Sequence, residues 1–174
     1  HKTAIIGENC KIGNDVVIGP FSIIEDEVMI GNGNVINSSV FIGKGTAIGT
    51  SNTFFPFSSI GSIPQDLKYK GEKSRLVIGN NNVFREHSTA NIGTEGDRME
   101  TTIGNSSLFM TGAHIAHDCK IGNNTIFANQ ATLGGHVQVD DFAVIGGLSA
   151  IHQFCKIGEL AMIGGMSAVE NDVI

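Results

Sequence analysis

The chain lacks an excess of positive charge: eleven Lys and Arg stand against seventeen Asp and Glu, a formal charge of −6 and a pI near 5.4. That balance excludes a protein built to neutralise a nucleic-acid backbone. It has three cysteines (Cys10, Cys119, Cys155) in no spacing that suggests a disulfide framework or a zinc ribbon. No apolar run approaches the ~18 residues of a membrane span, so no stable membrane insertion is expected, and no secretory leader is visible. The compartment these gaps predict is the cytoplasm. The chain opens at His1 close to a first repeat and stops at Ile174 inside one. Solenoid ends need caps, so further residues are expected, above all at the C-terminus.

What is present is a period of six. An apolar residue returns at Ile6, Ile12, Ile18, Ile24, Ile30, Ile36, Ile42, Ile48, Phe54 and Ile60, mostly followed by Gly. The phase resumes at Ile78 and runs again from Ile103 through Phe109, Ile115, Ile121, Phe127, Leu133, Val139, Ile145, Ile151, Ile157 and Ile163 to Val169. Six matches neither the helical 3.6 nor the strand period of 2. It is the repeat of a hexapeptide β-helix, in which three hexads close one triangular coil. The predicted fold is therefore all-β, a single parallel β-helix domain over 1–174, with loops ejected at about 61–77 and 93–102. Gly, Asn and Asp are expected at corners for their tolerance of positive φ. A β-sandwich would not hold a six-residue phase across a seventeen-residue interruption.

The first loop concentrates Lys68, Lys70, Lys73 and Arg75, four of the eleven basic residues within eight positions. Long loops in regular scaffolds usually carry function. This one suits an anion or an acidic partner. The second loop is polar (Gly93, Gly96, Asp97, Arg98) and offers little to read.

In an eighteen-residue coil, residues eighteen apart stack. Four of the six histidines lie between 114 and 152. His117 then shares a column with Gly135 and Gln153, Asp118 with His136 and Phe154, His114 with Thr132 and Ala150, and His152 with Gly134 and Ala116. All four histidines converge on one strip about 10 Å tall. Three chemistries fit it. One imidazole could serve as general base on a hydroxyl, with the Gly135 N–H facing an oxyanion. Three histidines could bind zinc, as in β-helical carbonic anhydrases. Or the rings could simply pack at a subunit interface. Successive strand residues face opposite sides, so Asp118 can meet His117 only where the chain turns. Cys119 is expected in the core.

Two motifs, Ile63-Pro64-Gln65-Asp66-Leu67-Lys68-Tyr69-Lys70-Gly71-Glu72 and His114-Ile115-Ala116-His117-Asp118-Cys119, resemble the UDP-N-acetylglucosamine O-acyltransferases, the first enzymes of lipid A synthesis. So do Gly134-Gly135-His136 and Ile151-His152-Gln153-Phe154, and the resemblance spans essentially the whole chain. It implies a homotrimer of left-handed β-helices with sites between subunits. The reaction moves an (R)-3-hydroxyacyl group from acyl carrier protein to the sugar 3-hydroxyl, with no other cofactor and no metal. By the same resemblance His117 is the base, Asp118 orients it, and Gly135 faces the oxyanion. His114, His136, His152 and Gln153 would line the substrate site, with Gln65, Asp66 and Lys68 on the sugar nucleotide. Met162 and Gly165 would lie in the acyl pocket. The family's C-terminal helical domain is absent from this chain, and Ile92 stands where the family commonly has Arg. Gly147 and Gly165 repeat one coil apart; their column is expected to adjoin the histidine face as an acyl groove, the alternative being turn glycines chosen for φ.

Overall fold

The computed structural model describes all residues, 1–174, and contains no helix; twenty-five short strands run in sequence order around three parallel sheets of nine, eight and eight strands. The chain is a left-handed parallel β-helix of just over eight coils. Ile5–Ile6, Ile23–Ile24 and their successors build face one, Lys11–Ile12 and Met29–Ile30 begin face two, and Val17–Ile18 and Val35–Ile36 begin face three. Partners are eighteen residues apart, as Ile5 with Ile23 and Ile126 with Val144.

The repeating apolar residue points inward and is buried from Ile24 to Ile163. On face three the column becomes aromatic. Phe54, Phe84, Phe109 and Phe127 stack with centroids 5.1, 4.5 and 5.0 Å apart, close to the ~4.8 Å coil spacing. Beside it runs a buried polar ladder in which the side-chain oxygens of Asn34, Asn52 and Asn82 accept the backbone N–H of Asn52, Asn82 and Ser107. Corner amides that cannot join a sheet are thereby paired.

Both loops are shorter than expected, because chain at their roots still pairs with neighbouring coils. Ser59–Ser62 and Arg75–Ile78 are strands, leaving 63–74 outside; Thr89–Asn91 and Glu100–Ile103 leave 92–99. Register explains why only the first loop kept phase. Ile78 pairs with Ile48, thirty residues earlier, twelve more than a coil and a multiple of six. Ile103 pairs with Ile78 across twenty-five residues, seven more than a coil, which moves the repeat by one.

The expectation about corner residues is corrected. Positive φ falls on twenty non-glycine residues, including Phe21, Phe57, Phe142 and Phe154. Most glycines that follow the inward residue have ordinary φ. At Gly49 a Cβ would lie 2.5 Å from Gly79 O in the next coil. Close approach of stacked turns, rather than φ, selects glycine there. Gly147 and Gly165 do not have positive φ either, which belongs to the next residues, Leu148 and Met166, and a Cβ on them would meet nothing nearer than 3.2 and 3.3 Å.

Candidate functional site

Both ejected loops leave the helix at the corner between face one and face two, from adjacent coils. The next coil places His117 and Asp118 at that corner, and the two after it place Gly135-His136 and Gln153-Phe154 there. One edge of the prism therefore carries both loops and the His117–Asp118, Gly135–His136 and Gln153–Phe154 pairs.

Asp118 has φ +59, and this turn brings its side chain back beside the preceding residue. His117 Nδ1 lies 2.9 Å from Asp118 Oδ2, with the two side chains 10% and 0% exposed. The carboxylate only accepts, so the His117 proton sits on Nδ1 and Nε2 keeps its lone pair. Asp118 is itself held on the other side. Thr94 N–H donates to both carboxylate oxygens at 3.1 and 3.0 Å, and Thr94 Oγ1 donates to Oδ2 at 2.6 Å. Thr101 Oγ1 accepts the Asp118 N–H at 2.8 Å, and Arg98 donates to the Asp118 carbonyl at 2.9 Å.

Gly135 sits one coil above, against the imidazole; a Cβ there would come within 2.6 Å of Nε2. Gly134 N–H donates to Ile151 O and His136 N–H to His117 O, yet Gly135 N–H has no acceptor in the chain. At the corner between faces two and three the equivalent amides of Asn80, Asn105 and Asn123 donate to Asn or Asp side chains of the next coil. At its own corner the equivalent amides of His117 and Gln153 also lack acceptors; what distinguishes the Gly135 amide is its place beside the His117 ring.

An open cleft of about 1120 Å³ gathers His114, His117, Gly135, His136, His152 and Gln153 with Gln65, Asp66 and Lys68 of the longer loop. His114 Nδ1 is 2.7 Å from Thr89 Oγ1, and burial, then the neighbouring His117, pushes its pKa down. The ring of His136 stacks on Phe154 at 4.4 Å, meets His117 edge-on at 5.0 Å, and has Nδ1 3.2 Å from Asp97. Cys119 is in the core, donating to Gly134 O, its thiol pushed up by burial to about 12.

Met162 and Gly165 are not brought here. They lie on face three and at its corner with face one, outside the cleft, because the Gly147 and Gly165 column, expected to form an acyl groove, occupies a different edge of the prism. The basic residues also disperse: Lys68 lines the cleft, while Arg75 is in a strand paired with Glu100. Ile92 is buried in the core. Sequence reasoning missed Thr94 and Asn91 and named Asp97 and Arg98 without a role, all in or next to the shorter loop. Its broken period gave no column in which to place them.

The metal alternative needs open ligands. The one cluster of suitable residues is His117, Asp118 and His136, with ligand atoms within 4.8 Å. Asp118 is already shared by Thr94 and His117, and His136 Nδ1 faces Asp97. A metal would have to break the pair that the corner builds.

The bacterial transferase hexapeptide (six repeats) model matches residues 3–38 and 100–135. LpxA from Acinetobacter baumannii superposes with a TM-score of 0.99 at 49% identity, covering 99% of this chain and 67% of that one. The UDP-N-acetylglucosamine acyltransferase from Campylobacter jejuni gives 0.97 at 45%, covering 100% and 68%. The acyl-[acyl-carrier-protein]–UDP-N-acetylglucosamine O-acyltransferase of Aliarcobacter butzleri is 60% identical over 119 residues, 68% of this chain and 46% of that protein. The chain spans about half the length of the curated relatives it matches.

Proposed function

The chain belongs to the UDP-N-acetylglucosamine O-acyltransferase family, and from that membership we propose that it moves a 3-hydroxyacyl group from acyl carrier protein to the 3-hydroxyl of UDP-N-acetylglucosamine. One observation supports this above the rest. His117, backed by Asp118, keeps its Nε2 beside Gly135, where only the missing Cβ leaves room, and the Gly135 N–H has no acceptor in the chain. Nε2 takes the hydroxyl proton as the sugar oxygen attacks the thioester carbonyl. The Gly135 N–H donates to the oxyanion that forms. The intermediate then collapses, the C–S bond breaks, and the departing thiolate recovers the proton from His117.

His114, held neutral by burial, with His136, His152 and Gln153 borders the reacting groups, and Gln65, Asp66 and Lys68 hold the sugar nucleotide. The chain is read as the hexapeptide-repeat domain, 1–174, of a cytoplasmic homotrimer that uses no cofactor beyond the carried acyl group. No helix is long and apolar enough to cross a membrane. A C₃ trimer would cover the exposed Leu148, Leu160, Met162 and Met166, and set Met162 and Gly165 of one copy near His117 of the next as acyl pocket. Gly165→Met then shortens the preferred acyl chain in competition between donors. The decisive experiment is an acyl-transfer assay on His117→Ala, with a loss of ~10²–10⁴-fold in kcat expected. Near-normal turnover in a folded variant rejects the assignment.

A further inference from the structure

We propose that Glu72 is a positioning residue that couples the sugar-nucleotide loop, 63–74, to the His117–Asp118 pair through the shorter loop. The inference rests on the acceptor role given above to Gln65, Asp66 and Lys68.

The longer loop is exposed where it meets the cleft, with Leu67 wholly solvated. Within its tip, Asp66 only closes a turn on Lys68 N–H at 2.9 Å. Tyr69, partly buried, packs this loop against the core, but no hydrogen bond from the tip reaches the His117 corner. Glu72 supplies the missing constraint. Its Oε2 accepts Lys70 N–H of its own loop at 2.8 Å, and its Oε1 accepts Glu95 N–H of the other loop at 3.1 Å. Its own backbone N–H first, and then these two amides, hold the Glu72 carboxyl below its ordinary pKa. The residue before Glu95 is Thr94, whose own N–H donates to Asp118. Two consecutive amides are thus given to two carboxylates, one from each side, and a single peptide unit separates the acceptor loop from the base's partner.

The loops are also tied at their roots. Asn91 Nδ2 donates to Ser62 O at 3.3 Å and Ile63 O at 3.2 Å, and Arg75 pairs with Glu100. With the roots fixed, the Glu72 clasp makes the pair of loops a closed frame. Sugar nucleotide seated on Lys68 and Asp66 would then press on Thr94, and so on the orientation of the imidazole.

The test uses Glu72→Ala and Glu72→Gln in the full chain, with thermal unfolding as the check on folding. Amide hydrogen exchange without ligand reads the link directly: in Glu72→Ala, exchange across 92–99 rises on the order of tenfold as the clasp opens. Unchanged exchange there overturns the proposal. In the transfer assay, Glu72→Ala lowers kcat by about tenfold, a modest misplacement of the base. A role confined to the acceptor loop would instead raise KM for the sugar nucleotide at constant kcat, and that outcome also overturns it. Glu72→Gln, which keeps one acceptor oxygen, recovers part of the lost kcat. Adding UDP-N-acetylglucosamine to the unaltered protein separates the two readings. If 63–74 gains no protection, the acceptor role fails, while the ligand-free exchange still decides the coupling.

Discussion

The two loops leave the same corner one coil apart and are built in opposite ways. Residues 63–74 stand away from the helix, present exposed side chains to the cleft, and touch the site through the Glu72–Glu95 contact and through what they would bind. Residues 92–94 lie down, and only 95–98 reach solvent. Ile92 and Thr94 are buried, and Thr94 spends both its N–H and its hydroxyl on Asp118. The longer, basic loop announces itself in sequence; the shorter, bland one assembles the His117–Asp118 corner. Conspicuous composition marks a surface that meets solvent and ligand. A residue that organises a site is instead recognised by what it touches.

The sharpest way to break this contrast is at the residue the shorter loop serves. Asp118→Asn keeps the shape, but its amide turns a donor toward either Thr94 or the His117 Nδ1–H, so the ring loses its tautomer and orientation. A kcat loss on the order of 10²–10⁴-fold is expected in the transfer assay. Thr94→Val removes one buried donor to Asp118 while keeping the backbone contact. It should cost about 1–3 kcal/mol in chemical denaturation and roughly tenfold in kcat. A Thr94→Val protein with unchanged stability and turnover would end the claim that the shorter loop builds the site. Lys68→Ala, on the standing loop, should leave stability within about 0.5 kcal/mol. It should raise KM for the sugar nucleotide without a comparable fall in kcat. A stability loss matching Thr94→Val would show that the loops do not differ in kind.

Much of the coil was legible because a repeat converts sequence distance into spatial distance. Ile126 pairs with Val144, and His114 with Thr132, as arithmetic requires. The His117, Gly135 and Gln153 column followed from the same step. Legibility ended where periodicity did. The seven-residue shift between Ile78 and Ile103 leaves 92–99 without register, so Thr94 could not be placed under Asp118. Glycine misled for another reason. Gly-Gly pairs suggest special φ, whereas Gly135 and Gly165 have ordinary φ, and at Gly135 the demand is for a missing Cβ beside the His117 ring. The edge of the prism on which Gly165 lies depends on counting hexads around the triangle, and the repeat alone does not join that edge to the histidines.

The smallest effect concerns the strand that leads into the shorter loop. Thr89–Asn91 pairs with His114–Ile115, and Thr89 Oγ1 meets His114 Nδ1. Burial, reinforced by His117, lowers the His114 pKa below its usual 6.5. The unfolded chain therefore takes up this proton at higher pH than the folded one. The stability tied to neutral His114 is complete above about pH 6.5, and is lost as pH falls from there through the folded value. One such group can add at most ~1.4 kcal/mol per pH unit to the acid slope. His114→Gln keeps an oxygen or amide for Thr89 but cannot titrate. Between pH 7 and 5, denaturant midpoints of the variant should therefore fall less steeply than those of the unaltered protein. Parallel slopes would mean that His114 gains its proton without cost in the fold, and that the strand beneath the shorter loop is no drier than the standing loop beside it.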